Sequence, residues 1–340
     1  MTHLLNFTIE ELAAQLAAAG QPAYRAKQIS RWVWQEGRTD FAAMTDLPAP
    51  LREELARRYV ILAGRAAARS DSDDGVTKLL LEWPDGERIE TVLIPSADRA
   101  TVCVSTQVGC AMGCLFCASG EGGLRRNLTS GEIIEQIVQF RPISAKRISH
   151  VVFMGMGEPL ANYDNTVAAV RSVIDPKRLA ISARHVTVST VGIPDKIRRL
   201  ATEGLAITLA LSLHAPNDAL RREIMPAAAK YPLEEILAAA EAFFDSRHRQ
   251  VTLEYIVLPG INDTNVCAAA LAGMARRLAA NINLIGYNAV PDQPFRHPSP
   301  AEMERFRAQI EHRHANVEIR RSRGQAADAA CGQLRRRMET

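Results

Sequence analysis

The chain has 340 residues, 47% of them hydrophobic and 23% charged, with a net charge of +3. These values fit one large domain, or a large domain with a small one, and exclude collagen-like, low-complexity and disordered chains. Six cysteines are too few for a disulfide scaffold, the start lacks the basic-then-apolar pattern of a secretory signal, and no apolar stretch reaches the roughly 20 residues of a membrane span; a cytoplasmic protein without membrane association is expected.

Residues 8–19 place Leu12, Ala13, Leu16 and Ala17 at helical spacing, and Thr8 with Glu11 has the form of a capping box. A second helix is expected over 22–36, with Ile29, Trp32 and Val33 on one face, and a third from Leu47 to Tyr59 after the Pro48–Pro50 turn. Residues 1–70 thus read as a helical module. Over 76–94, two β-rich runs flank Pro84-Asp85-Gly86-Glu87 and read as a β-hairpin, the centre of an extension spanning 71–100.

A regular alternation follows. Apolar, β-branched runs at 101–106, 150–154, 185–190, 206–212, 251–257, 281–286 and 316–320 alternate with helical segments near 130–141, 162–174, 194–203, 232–245, 265–279 and 300–314. Repeated strand–helix units imply a parallel sheet, and six are too few for a closed eight-stranded barrel. The expected fold is α/β: a partial (β/α)6 barrel over 101–322, with residues 323–340 as a C-terminal segment. In such folds the reactive groups sit at the C-terminal ends of the strands.

The loop after the first barrel strand carries Cys110, Cys114 and Cys117, three thiols within eight positions. A structural zinc site usually takes four ligands, and no fourth Cys or His stands nearby at zinc-like spacing. Three thiolates suit a [4Fe–4S] cluster with one iron left open, which can chelate the amino and carboxylate groups of S-adenosylmethionine (SAM) and cleave it by one-electron transfer. The next strand ends in Gly155-Met156-Gly157-Glu158-Pro159, offering glycines for close backbone approach and a carboxylate for a ligand amine or ribose hydroxyl. Ser189 and Thr190, then Ser212, Leu213 and His214, then Tyr287 and Asn288 end later strands on the same rim. Taken singly, each reads equally as a strand-end turn or a satisfied core group; four polar strand ends in register point to a ligand site.

Together these motifs resemble the RlmN/Cfr family of radical SAM RNA methyltransferases. The resemblance covers nearly the whole chain. It runs through Tyr24-Arg25-Ala26-Lys27-Gln28-Ile29, Arg88-Ile89-Glu90-Thr91-Val92, Cys103-Val104-Ser105-Thr106-Gln107, Arg126-Asn127-Leu128-Thr129, Ser212-Leu213-His214-Ala215, Leu258-Pro259-Gly260-Ile261-Asn262-Asp263 and Ala330-Cys331-Gly332-Gln333-Leu334. It implies that Cys110, Cys114 and Cys117 hold the cluster, and that Gly157, Glu158, Ser189, Ser212, Leu213, His214 and Asn288 hold SAM. It further implies that Cys331 carries a methyl group, that Cys103 resolves a protein–RNA thioether through a transient disulfide with Cys331, and that Glu90 is the proton acceptor. Two SAM molecules per turnover, an RNA substrate (23S rRNA, with tRNA for some members), an electron donor such as flavodoxin and a monomeric chain belong to the same expectation. RlmN-type members methylate carbon 2 of adenosine and Cfr-type members carbon 8; the shared motifs do not choose between them, and carbon 2 is the favoured reading.

Outside the resemblance, Cys103 reads as a buried strand thiol, Cys331 as a tail residue, Glu90 as a hairpin surface residue and Cys267 as core. Two departures stand out: Ala326-Ala327 replaces a usual Asp-Ile pair, and residues 118–124 follow a Gly-rich version of the family's stretch. Arginines flanking Cys331 (Arg320, Arg321, Arg323, Arg335, Arg336 and Arg337) are expected to favour its thiolate, and Gly332 to let its loop swing. Arg25, Lys27 and Arg31 are expected to grip RNA backbone, with Arg125, Arg126, Lys146 and Arg147 as further basic patches. A different radical SAM enzyme explains the cluster but not Cys103 and Cys331; a non-catalytic RNA-binding protein explains the basic patches but not the strand ends.

Overall fold

The computed structural model describes residues 1–247, 249–290, 293–320, 324 and 329–334. At the N-terminus, β1 (Thr2–His3) pairs in parallel with β2 (Tyr59–Val60), and three helices lie between: α1 (Ile9–Ala18), α2 (Arg25–Trp34) and α3 (Ala49–Arg58). The capping box on α1 forms as expected, with Thr8 and Glu11 satisfying each other's backbone N–H groups. Ala26, Ile29 and Val33 share the buried stripe of α2, whereas Trp32 is only half-buried.

Among the described residues, ten strands form one sheet. Its first three are antiparallel: β3 (Arg65–Asp71), β4 (Thr77–Glu82) and β5 (Arg88–Pro95). The sequence marked the β4–β5 hairpin; β3, largely exposed and rich in alanine and arginine, carries no apolar alternation by which to find it. β5 continues antiparallel into β6 (Ala100–Cys103), and β6 starts the parallel part. Beyond β6 the backbone of Ser105 exchanges hydrogen bonds with the Gln136 side chain instead of a strand, which is why β6 stops short of 106. A small antiparallel ribbon, β7 (Gln107–Gly109) and β8 (Leu124–Asn127), frames the cysteine loop.

The barrel then alternates α4 (Ser130–Phe140), β9 (Ile148–Phe153), α5 (Tyr163–Ile174), β10 (Val186–Thr190), α6 (Pro194–Thr202) and β11 (Thr208–Ser212). It continues with α7 (Asp218–Ile224), α8 (Leu233–Arg247), β12 (Val251–Val257), α9 (Asn265–Arg277), β13 (Asn281–Gly286), α10 (Pro300–Glu311) and β14 (Val317–Arg320). The parallel order β6-β9-β10-β11-β12-β13-β14 gives six β/α units and a closing strand, the expected partial barrel, with the β3–β5 meander extending its first edge. The sequence reading passed over α7, a seven-residue helix capped by Asn217.

Leu12, Leu16, Ile29 and Val33 of the N-terminal helices join the same continuous core as the barrel strands. The polar fastening converges on α4. Glu135 accepts from His3 Nε2 at 2.7 Å and from the N–H groups of Ala63 and Gly64 at 2.8 Å, and Arg141 donates to the carbonyls of Val33 and Trp34. A fully buried carboxylate with this many donors fixes one docking geometry, because any alternative leaves it unsatisfied. Among the described residues, no helix is long and apolar enough to cross a membrane.

Candidate active site

One cavity opens at the C-terminal ends of the parallel strands. Cys110, Cys114, Cys117, Gly157, Glu158, Ser189, Ser212, His214 and Cys331 all line it. Strand register explains the convergence: Ser189 on β10 lies beside Ala210 on β11, and Ser212 beside Glu254 on β12, so alternate residues of neighbouring strands face the barrel interior together.

The three cysteines sit in the loop between β7 and β8, packed against Met112, Phe116, Val191, Met225 and Ile256, a satellite apolar cluster separate from the main core. Burial pushes the Cys110 thiol up to about 12 and the Cys114 and Cys117 thiols above their ordinary range, and the negative charges of neighbouring cysteines add to this at all three. Thiols so placed resist ionisation alone and ionise when a cation binds. The three thiols line one cavity whose wall is largely apolar, and three thiolates are the donor set an iron–sulfur cluster takes. The donor set and its dry wall therefore fit an iron–sulfur cluster.

Glu158 is buried, its carboxylate held by the N–H groups of Leu160 and Val191, both at 2.9 Å. Burial raises its pKa, and those N–H groups oppose the rise. The glycines before it serve packing as well as access. A Cβ on Gly157, whose φ is +96°, would stand 2.5 Å from Gln107 Cβ, and one on Gly155 would meet Ser105. The β9 turn thus lies directly on the strand that leads to the cysteines. Ser189 Oγ and Ser212 Oγ are 2.9 Å apart and hydrogen-bonded. Leu213 lies beneath the rim, fully buried, and its contribution is backbone. Asn288 donates from its amide to the Cys331 carbonyl at 3.1 Å.

His214 has a left-handed backbone, φ +55°. Its Nδ1 accepts from the Ile256 N–H at 3.1 Å, so the neutral ring carries its proton on Nε2. Burial first, then the charge of Arg221, pushes its pKa down to about 3. The folded state therefore disfavours protonation. The stability present above the unfolded value near 6.5 is lost progressively as pH falls from there towards about 3. Thermal melts between pH 7 and pH 4 are expected to fall more steeply for the wild type than for His214→Asn, a residue that also tolerates positive φ; equal slopes would show that His214 does not titrate on unfolding.

The segment 329–334 folds over the cysteine loop. The Gly332 carbonyl accepts from the Ala118 N–H at 2.8 Å and the Leu334 carbonyl from Ser119 Oγ at 2.9 Å. Cys331 is exposed within this turn. Gly332, expected to let the loop swing, instead sits at φ +86°, where a Cβ would stand 3.3 Å from the Phe116 carbonyl; it fastens the turn to the loop. Cys103 lies beneath, buried on the barrel-facing side of β6. Burial, with the added charge of Cys331, pushes its thiol up to about 12, and Arg320 opposes this.

Glu90 is not the surface residue that its place in a hairpin suggested. It is 3% exposed, because β5 is an inner strand of the ten, and it pairs with Lys78 Nζ at 2.8 Å. It is not among the residues lining the cavity, but β5 runs beside Cys103 through the Val92–Cys103 register pair.

Two lining residues escaped the sequence reading. Arg320, at the end of β14, was grouped with the basic tail, yet it faces inward, 3.8 Å from Glu254, and its charge acts on both Cys103 and Cys331. Glu254 accepts from Asn283 and Thr252 through Oε1. Its signal was available: a carboxylate in the middle of an apolar strand needs a reason. Arg321, Arg323, Ala326, Ala327 and Arg335–Arg337 lie outside the described residues. The basic patches are more committed than their charge implied. Arg25 and Arg31 bond to Asp46, Arg126 to Asp85 and Glu132, Arg125 to Glu87, and Lys146 to backbone carbonyls of residues 96 and 97, while Lys27 is exposed.

Comparison with known proteins gives concordant results. Residues 104–270 match the Radical SAM superfamily model, and residues 2–61 match the ribosomal RNA large subunit methyltransferase N-terminal domain. A probable dual-specificity RNA methyltransferase RlmN from Symbiobacterium thermophilum is 48% identical, the match covering 99% of this chain and 92% of that protein. A second, from Rhodopirellula baltica, is 46% identical over 98% of this chain and 91% of its own length. The crystal structure of a radical SAM methyltransferase from Sphaerobacter thermophilus superposes with a TM-score of 0.96 at 42% identity, covering 99% of this chain and all of that one.

Proposed function

The chain belongs to the RlmN family of radical SAM RNA methyltransferases, and from that premise we propose that it methylates carbon 2 of adenosine in RNA through a methyl group carried on Cys331. The substrates are one adenosine of the peptidyl-transferase centre in 23S rRNA and the adenosine beside the anticodon of tRNA. The observation that carries the reading is the seating of the Cys331 turn on the cysteine loop, with Cys331 lining the same cavity as Cys110, Cys114 and Cys117 and close enough to Cys103 for its charge to act on that thiol.

In this reading Cys110, Cys114 and Cys117 hold a [4Fe–4S] cluster. Gly157, Glu158, Ser189, Ser212, Leu213, His214 and Asn288 hold SAM. The cluster and two SAM molecules per turnover supply the methyl group and the radical chemistry; the remaining work falls to side chains. Cys331 bears the methyl group and presents it to the adenine, which must leave its stack to reach the barrel mouth. Glu90, its carboxylate paired with Lys78, takes the proton from the substituted carbon. Cys103, as a thiolate, attacks the Cys331 sulfur: the S–S bond forms, the bond from that sulfur to the bridging methylene breaks, and the methylene leaves with the electron pair and takes up a proton as the methyl group of the released base. Arg320 stands where its charge favours the Cys103 thiolate. Residues 1–70 serve as the RNA-binding module, 71–100 as the sheet extension, 101–322 as the catalytic core and 323–340 as the methyl-carrier segment. Surface ion pairs are worth little, so the one between Arg31 and Asp46 yields readily to phosphate. The chain acts as a monomer with a flavodoxin-type electron donor.

Mass spectrometry of nucleosides from 23S rRNA and tRNA, each incubated with the reconstituted enzyme, SAM and a reductant, tests the proposal. 2-Methyladenosine is expected from both. 8-Methyladenosine would move the chain to the carbon-8 group, and product from rRNA alone would remove the tRNA assignment.

A further inference from the structure

One fully buried charge at the rim has no part in the scheme above. Arg221 on α7 is 0% exposed, and among the described residues it makes no ion pair. Its Nη1 donates to the Leu213 carbonyl at 2.8 Å and its Nη2 to the Val191 carbonyl, while Nε has no partner. Both carbonyls belong to the rim: Leu213 precedes His214, and the Val191 N–H holds Glu158. The helix carrying Arg221 also anchors the cysteine loop, because the Ile224 carbonyl accepts from the N–H of Leu115, the residue after Cys114, at 3.0 Å. The charge of Arg221 acts on Cys114, Glu158 and His214 alike. A guanidinium is not relieved by deprotonation, so a buried one needs negative groups nearby; without an ion pair of its own, Arg221 is supported at longer range by Cys114 first, then by Asp218 and Glu158.

We propose that Arg221 is a positioning residue that holds the β10 and β11 rim ends by their carbonyls and whose fixed positive charge offsets the negative charge of the cluster, easing its one-electron reduction. The inference rests on the reading that Cys110, Cys114 and Cys117 hold that cluster. In the step concerned, a low-potential one-electron donor is oxidised and the cluster gains one negative charge; no bond forms or breaks. A fixed cation nearby stabilises the more negative state more than the less negative one, which raises the midpoint potential.

The test is an EPR-monitored redox titration, with dithionite as reductant, of the full-length chain reconstituted anaerobically with iron and sulfide. Wild type, Arg221→Gln and Arg221→Lys are compared, with thermal melts as the folding control. The Gln variant is expected to reduce only at a distinctly lower potential. The Lys variant is expected to keep the wild-type potential and to bind SAM more weakly, having lost one carbonyl tether. A Gln variant with the wild-type potential, or a Lys variant shifted as far as Gln, overturns the proposal, since a purely structural clamp moves stability and SAM affinity but not potential. If the Gln variant does not fold, Arg221→Met, uncharged and of similar length, takes its place under the same criteria. Wild-type protein that takes up no iron overturns the cluster reading itself, an outcome separate from an unchanged potential in iron-loaded protein.

Discussion

Cys103→Ala is expected to accumulate a covalent protein–RNA adduct that migrates above the free chain on a denaturing gel and collapses on ribonuclease treatment. Cys331→Ala is expected to form neither adduct nor product while still cleaving SAM. Methylation should fall by ~10³-fold or more in both, the scale on which loss of a covalent nucleophile acts. The two variants fail differently because the two sulfurs stand differently. Cys331 lies exposed in a turn fastened to the cysteine loop, where it can meet a substrate. Cys103 is buried on the sheet below, its thiol pushed up to about 12, so it reacts last and only with what is brought to it. The charge of Arg320 favours the Cys103 thiolate against that burial. Normal product from Cys103→Ala, with no adduct at any time point, would sink the methyl-cysteine mechanism.

Cys114→Ala is expected to abolish iron uptake on anaerobic reconstitution, and with it SAM cleavage and methylation, whereas Cys267→Ala retains all three. Cys114 has thiol neighbours on both sides of one apolar-walled cavity, and losing any of the three leaves a cluster short of a ligand. Cys267 packs at the start of α9, capped by Thr264, in the main core far from that cavity's lining. Its replacement removes one small buried group, for which a cost of about 1 kcal/mol is expected. Iron assays and the visible absorbance of the reconstituted proteins check both; full iron in Cys114→Ala would exclude that residue as a ligand.

These contrasts show where the sequence is sufficient. Thr8 with Glu11 and Thr129 with Glu132 close capping boxes because the partners are three residues apart, and local spacing decides such bonds. The strand–helix alternation from residue 100 onward gave the partial barrel for the same reason: side-chain periods of 2 and 3.6 are written along the chain. The spacing of Cys110, Cys114 and Cys117 is also local, so their shared chemistry could be read directly. β3 was missed because an exposed edge strand needs no alternation, and α7 because seven residues are too few to display a period.

What the tertiary structure alone decided is which distant residues meet. Glu90 looks exposed in its own hairpin and is buried only because the β3–β5 meander continues the barrel sheet on both sides of it. Arg320 reads as part of a basic tail until the β13–β14 register turns it inward towards Glu254. Arg221 occupies an unremarked helix, and the pairing of β10 with β11 brings the carbonyls of Val191 and Leu213 together over it. Cys331 stands more than two hundred residues from the cysteine loop in the chain, and the contacts of Gly332 and Leu334 with Ala118 and Ser119 bring it to the cavity that the loop lines. The sequence by itself determined the elements, the barrel and the three-cysteine loop, since each depends on neighbours within a few residues. The buried charges and the placing of Cys331 at the cavity depend on sheet register and on where the C-terminal segment docks, which no local pattern encodes.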